Sequence, residues 1–191
     1  MKQTDYMILV NEDHRLPENY TDTIELLSVK NAVGEGYQIE KKTYEAFLRL
    51  REDLLQNDNI QIELISVYRT VAEQEEIYAR YTREHGPEYA RTYVAIPGHS
   101  EHHTGIAIDV GILQDGKLIH SVAGLLAASD LFAVIQAKLP RYGFILRYPK
   151  GKETVTRIGY ESWHFRYIDS PEIATDITDR GLCFEEYWET R

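Results

Sequence analysis

Three of the chain's seven histidines, His99, His102 and His103, crowd into the stretch PGHSEHHTGIAIDVG, which also carries the carboxylate of Asp109. A fourth, His164, lies in GYESWHFRY, where Glu161 precedes it by three residues. Two imidazoles and one carboxylate form a ligand set for zinc, which in catalytic sites takes three protein groups and keeps a fourth position for water. A further carboxylate beside such a site can act as general base. Magnesium or calcium would require more oxygen ligands than these stretches supply. Spacing alone leaves two readings open: a metal site, or solvated histidines on an acidic loop.

For these side chains to converge, the stretches that carry them must be strands. In residues 105–110 (GIAIDV) alternation sends Ile106 and Ile108 into a core and turns Ala107 and Asp109 to the other face. Gly105 allows a sharp turn, so that a preceding histidine can fold back towards Asp109. In residues 163–168, Trp163, Phe165 and Tyr167 share one face, and His164, Arg166 and Ile168 share the other. Periodicity predicts further short strands at 7–10, 60–66, 144–146 and 154–158, with loop and short strands across 16–38. Helices are predicted over 40–56, over 123–139 and from Pro171, with a last one near 184–188. Another starts at Thr70, where Glu73 completes a capping box, and stops near Gly86-Pro87. Short connections between the late strands favour antiparallel pairing. The expected architecture is α+β: a single domain over 1–191 with a central, mainly antiparallel sheet that carries the site and is flanked by helices. No glycine-rich phosphate loop follows a strand. The GHS at 98–100 lacks a nucleophile elbow, and Cys183 is expected to be a small buried apolar residue.

Three motifs then stand in order. Residues 100–109, SEHHTGIAID, fit SxHxxGxAxD; Glu161-Ser162-Trp163-His164 fits ExWH; Ser66-Val67-Tyr68-Arg69 fits SxxR, with Gln74 following. Their order and separations resemble the VanY/VanXY-type D-alanyl-D-alanine carboxypeptidases, zinc peptidases related to lysostaphin-type enzymes and to the hedgehog domain. LVNEDHRLPENY near the start and RYGFILRYPKGKE at 141–153 extend the resemblance. It implies zinc (Zn2+) as cofactor, with His102, Asp109 and His164 as ligands. It implies Glu161 as catalytic base, Arg69 as the arginine facing the developing oxyanion, and Ser100 and Gln74 beside the bound peptide. His99 and His103 match no ligand position, and His103 is expected behind the ligands or in solvent. Ser162 stands where relatives usually have proline, a departure expected to loosen the turn that holds Glu161. The 148–152 loop (YPKGK) is expected on the cleft rim, and Trp163 in the core beneath the site. The implied activity is hydrolysis of the C-terminal D-Ala from D-Ala-D-Ala-ending peptidoglycan peptides or precursors. Two alternatives share these motifs: an L,D-carboxypeptidase acting on tetrapeptide stems, and a zinc-containing wall-peptide binding module of the kind the hedgehog domain exemplifies. The presence of both Glu161 and Arg69 favours an enzyme.

Composition narrows the partners. Among 191 residues, Lys+Arg is 21 and Asp+Glu is 31, a net charge of −10. That balance argues against nucleic acid, which requires a basic face, and against an anionic membrane surface. One cysteine permits no internal disulfide. The apolar run Met7-Ile8-Leu9-Val10 is too short for a secretory signal, and no stretch approaches the roughly 18 apolar residues of a membrane span. These readings predict a cytoplasmic monomer with no membrane anchor, whose partner is a peptidoglycan-derived peptide.

Overall fold

A computed structural model describes residues 4–191. After an irregular N-terminal segment the chain forms a hairpin, β1 (Leu26–Lys30) and β2 (Gly36–Glu40), which leads into helix α1 (Lys41–Asp58). The Glu40 carboxylate starts that helix by accepting hydrogen bonds from the Lys42 and Thr43 backbone N–H groups. Then follow β3 (Ile62–Ser66), α2 (Val71–His85), α3 (Pro87–Tyr93), β4 (Ala107–Gln114) and β5 (Lys117–Ile119). The chain continues through α4 (Val122–Ala127), α5 (Ser129–Lys138), β6 (Phe144–Leu146), the one-turn α6 (Glu153–Thr156), β7 (His164–Tyr167), α7 (Pro171–Asp179) and α8 (Phe184–Glu189).

The sheet that carries the site has five strands in the order β3-β4-β7-β6, with β5 also paired to β4, and every pairing is antiparallel. This is the expected α+β architecture. Ile108 and Val110 of β4 and Phe165 and Tyr167 of β7 enter the main core, where Ala46, Phe47, Leu50 and Leu54 of α1 and Phe132 and Ile135 of α5 meet them. A second cluster collects Leu9, Ile145, Ile168, Ala174, Ile177 and Phe184 beneath α7 and α8. Asp109, His164 and Arg166 lie on the opposite side of their strands from the main core, as the period-2 pattern required.

Three expected elements differ. Residues 7–10 form no strand; the carbonyls of Tyr6 and Ile8 accept instead from the Arg166 guanidinium, at 3.0 and 2.8 Å. A side chain thus supplies the donors that a neighbouring strand would have offered. Residues 154–158 alternate like a strand but form the turn α6, ended by Arg157 in the left-handed region (φ 62°) and stitched by Thr156, whose Oγ1 donates to the Ile158 carbonyl. The helix expected over 123–139 breaks at Ala128 (ψ 27°) into α4 and α5. Gly86 does end α2, yet Pro87 immediately opens α3, because proline's fixed φ suits a first helical position.

Arg166 is fully buried and also pairs with Glu101 at 2.6 Å. Arg166→Leu removes those charges and donors together. It is expected to cost about 3–5 kcal/mol, read as a lower midpoint in urea unfolding.

Candidate active site

Local sequence brings the site together. Ser100 caps a 3-10 turn, Glu101–Thr104, that carries His102. Gly105 then reverses the chain with φ +69°, and a Cβ there would lie 3.0 Å from Leu26 Cδ2, so both the conformation and the space demand glycine. The reversal feeds β4 and its Asp109. Across the ladder Asp109 faces His164 directly. On the other side a bulge between Leu64 and Ser66 shifts the register so that Ser66, rather than Ile65, stands opposite Asp109. Bulges of this kind re-aim side chains beside active sites, and Ser66 is aimed at Arg69.

His102, Asp109 and His164 are all buried and can each offer one ligand atom within 4.8 Å of the others. His102 Nε2 lies 3.3 Å from Asp109 Oδ2, and His164 Nδ1 lies 2.9 Å from Asp109 Oδ1. Ligands about 2.1 Å from a tetrahedral zinc are separated by about 3.4 Å, so these spacings fit the ion. The approach of His164 to Asp109 lacks hydrogen-bond alignment, leaving Asp109 Oδ1 buried with no hydrogen-bond partner. Two donor atoms that close, not aligned to bond each other, point at a shared position. The histidines present opposite nitrogens to it. His102 Nδ1 is 2.6 Å from the Val67 carbonyl, which requires the proton on Nδ1 and leaves Nε2 free. His164 turns Nδ1 inward and Nε2 away.

Arg69 lies beside this cluster. Its Nε and one terminal nitrogen donate to Ser66 Oγ (2.9 and 2.6 Å), and the same terminal nitrogen reaches Asp109 Oδ2 at 3.1 Å. The other terminal nitrogen donates to Gln74 Oε1 at 3.3 Å, and Gln74 is itself held by the Ala95 carbonyl. Glu161 Oε2 stands 3.6 Å from His164 Nδ1. Ser100, Gln74, Arg69, Glu161 and the three clustered residues all line one cleft of about 540 Å³. Its outer walls come from α2 and α3, including Tyr81, Tyr89 and Tyr93, and from Val122 and Leu126 of α4.

Burial would raise the Asp109 carboxyl, but the two imidazoles pressed against it, His102 and His164, outweigh that and hold the group well below the usual range. Burial raises Glu161 to about 7, reinforced by Asp109 and opposed by His164 and Arg69. Burial, aided by the charge of Arg69, pushes His102 down to about 4, so it stays neutral. For His164, burial acts downward, but Asp109 and Glu101 hold it up at about 9.

The remaining sequence candidates fall around this core. His103 is buried behind the site, with Nδ1 2.7 Å from the Arg69 carbonyl and Nε2 accepting from the Gly98 N–H. His99 meets the Asn11 carbonyl and lies outside the cleft. Of the 148–152 loop only Tyr148 lines the cleft, its ring 4.8 Å from that of His164; Lys152 turns away to pair with Glu186. Trp163 joins the main core while still touching the cleft. At Ser162 the turn is held from outside, by Gln136 Nε2 donating to the Ser162 carbonyl at 3.0 Å. Cys183 is buried. One residue escaped the sequence reading. Glu101, between Ser100 and His102, is fully buried, and its Oε2 stands 3.7 Å from His164 Nε2. The signal available was its place inside the histidine motif.

Comparison with known proteins gives a consistent result. The family model described as VanY, D-alanyl-D-alanine carboxypeptidase, matches residues 36–170. The bifunctional D-Ala-D-Ala dipeptidase and D-Ala-D-Ala carboxypeptidase VanXYC of Enterococcus gallinarum is 37% identical, over 94% of this chain and 91% of its own. The vancomycin-resistance D,D-pentapeptidase VanY from a VanB-type cassette, solved in complex with Zn(II), superposes with a TM-score of 0.76 at 31% identity, covering 95% of this chain and 98% of that one. VanYB in complex with D-alanine-D-alanine gives a TM-score of 0.79 at 33% identity, covering 97% and 98%.

Removing either imidazole leaves the converging set one ligand short. His102→Ala and His164→Ala are each expected to retain the far-UV circular dichroism of the parent and to lose most of the zinc bound after purification, read by elemental analysis. Full zinc occupancy in both variants would place the metal elsewhere.

Proposed function

The chain belongs to the VanY family of D-alanyl-D-alanine carboxypeptidases, and on that footing we infer that it is a zinc-dependent carboxypeptidase removing the terminal D-alanine from peptidoglycan peptides that end in D-Ala-D-Ala. The observation that carries this reading is the convergence of His102 Nε2, the Asp109 carboxylate and His164 Nδ1 at the floor of a cleft that also holds Glu161 and Arg69.

His102, Asp109 and His164 would hold the metal. A zinc ion bound there supplies a Lewis acid that polarises the scissile carbonyl and makes water a stronger nucleophile at neutral pH. Glu161 takes the proton of the attacking water and returns it to the leaving amine. Its carboxyl, raised by burial to about 7, suits both halves of that task. Arg69 shares the charge that builds on the carbonyl oxygen. Ser66 and Gln74 fix its guanidinium beforehand, so little reorganisation is left for the reacting state. Ser100 and Gln74 are buried in the cleft wall, which supports a place for both beside the peptide when it binds. A carboxypeptidase releases one residue, so the room along α2, α3 and α4 belongs to the acyl side of a longer peptide.

The reading extends to setting: a monomer acting in the cytoplasm on small soluble peptides, as one domain over residues 1–191. No helix among the described residues is long and apolar enough to cross a membrane. The net charge of −10 offers nothing to hold the protein on an anionic wall polymer. Cell fractionation and turnover on intact sacculi test this; protein outside the membrane, or a preference for sacculi, would reverse it.

Glu161→Gln keeps the shape of the base but cannot accept the proton. It is expected to bind zinc normally and to lose turnover on a D-Ala-D-Ala-ending peptide by at least the roughly 10²–10⁴-fold typical of a general base. Near-parental turnover would remove Glu161 from the mechanism. Release of D-Ala chiefly from peptides whose penultimate residue is an L-amino acid would reassign the enzyme as an L,D-carboxypeptidase. Arg69→Lys keeps a charge but not the planar fork; kcat is expected to fall more than KM rises. A change confined to KM would make Arg69 a ground-state binding residue.

A further inference from the structure

His164 is an imidazole among three carboxylates. Two of them stand at Nδ1: Asp109 Oδ1 at 2.9 Å and Glu161 Oε2 at 3.6 Å. A proton on Nδ1 would leave that atom no lone pair to give a metal. The third carboxylate, Glu101, stands on the far side, with Oε2 3.7 Å from Nε2. That gap is too long for a hydrogen bond, but both atoms are buried and neither has any other hydrogen-bond partner. Leaving a buried donor and acceptor unpaired is costly. A ring shift of about 0.8 Å brings the pair to hydrogen-bond distance.

Glu101 is held for this geometry. Its Oε1 accepts from Arg147 Nε at 2.7 Å and from Arg166 at 2.6 Å, so the carboxylate cannot rotate without breaking both. Arg147 in turn forms a two-pronged pair with Glu185 of α8, at 2.6 and 2.8 Å. Two buried cations thus balance two buried anions, and one carboxylate oxygen is left over, aimed at His164.

We propose that Glu101 is the positioning residue of the metal site, accepting the Nε2 proton of His164 and so presenting the Nδ1 lone pair to the zinc ion. The inference rests on the reading of His164 as a zinc ligand. An imidazole whose outer N–H meets a carboxylate is both oriented and made a better donor, and loss of such a partner typically costs 10–100-fold in metal affinity.

The test is a competitive zinc titration against a chromophoric chelator, run on the parent, Glu101→Gln and Glu185→Gln. Glu101→Gln removes the charge facing Nε2 and is expected to raise the zinc Kd by about 10–100-fold. Glu185→Gln weakens the same buried cluster but leaves the Glu101–His164 pair. It is expected to lower the urea midpoint while changing the zinc Kd by less than about threefold, within the scatter expected for an uncoupled site. Equal losses of affinity in the two variants would reduce Glu101 to a structural role, and an unchanged Kd in Glu101→Gln would overturn the proposal. Should Glu101→Gln not fold, nitrogen-15 spectra of the histidine-labelled, zinc-loaded parent decide the matter. The expected result is a protonated Nε2 and a metal-bound Nδ1 at His164; metal on Nε2 would refute it. If His164→Ala retained its zinc, the underlying ligand assignment would fail instead, a result distinct from any of these.

Discussion

A fully buried carboxylate requires a cation, and Glu101 has two, Arg147 and Arg166, both at 0% exposure. Burial opposes its ionisation, but the two guanidiniums outweigh that and hold the carboxyl far below its usual range. Much of the molecule is arranged around this neutralisation. Arg166 also ties down the N-terminal segment through the Tyr6 and Ile8 carbonyls. Arg147 holds α8 through Glu185, and the Phe184 ring lies over both guanidiniums, at 5.6 and 5.0 Å. Chain segments that are distant in sequence are therefore fastened to the strand that carries His164. Removing one partner of such a buried cluster is costly, so the ends of the chain and the floor of the cleft stand or fall together.

The other face of the same design is rigidity at the reacting groups. Asp109 and His164 sit opposite each other in a ladder, so backbone hydrogen bonds set their separation. His102 comes from a turn closed by Gly105, and Arg69 comes from the end of β3, where the bulge supplies Ser66 as its anchor. Sites built on strands hold their geometry better than sites on loops. The helices that wall the cleft present Tyr89, Tyr93, Val122 and Leu126 as exposed residues. On this account the floor fixes the chemistry and the walls fix the choice of substrate.

The parts of this arrangement legible from residues alone are those governed by short-range periodicity. Alternation placed Asp109 and His164 on one side of the sheet, and Gly105 announced the turn before β4. The roles of Arg69 and Glu161 came from motif resemblance, since no local pattern tells a base from a surface carboxylate. What stayed hidden depended on partners far along the chain. Residues 7–10 look like a strand, yet the Ile8 carbonyl is met by a guanidinium 158 residues away. Residues 154–158 are rich in β-branched residues, but local hydrogen bonds curl them into a turn. Glu101 reads as one more charge in a polar stretch until Arg147 and Arg166 are seen to enclose it.

The central claim is that three converging side chains hold a zinc ion on which peptide hydrolysis depends. Its most direct measurement is release of D-Ala from a D-Ala-D-Ala-ending peptide by protein stripped with a chelator and then titrated with zinc. The account predicts no turnover without metal, and recovery that saturates at one zinc per chain. Undiminished turnover by the metal-free protein would contradict it.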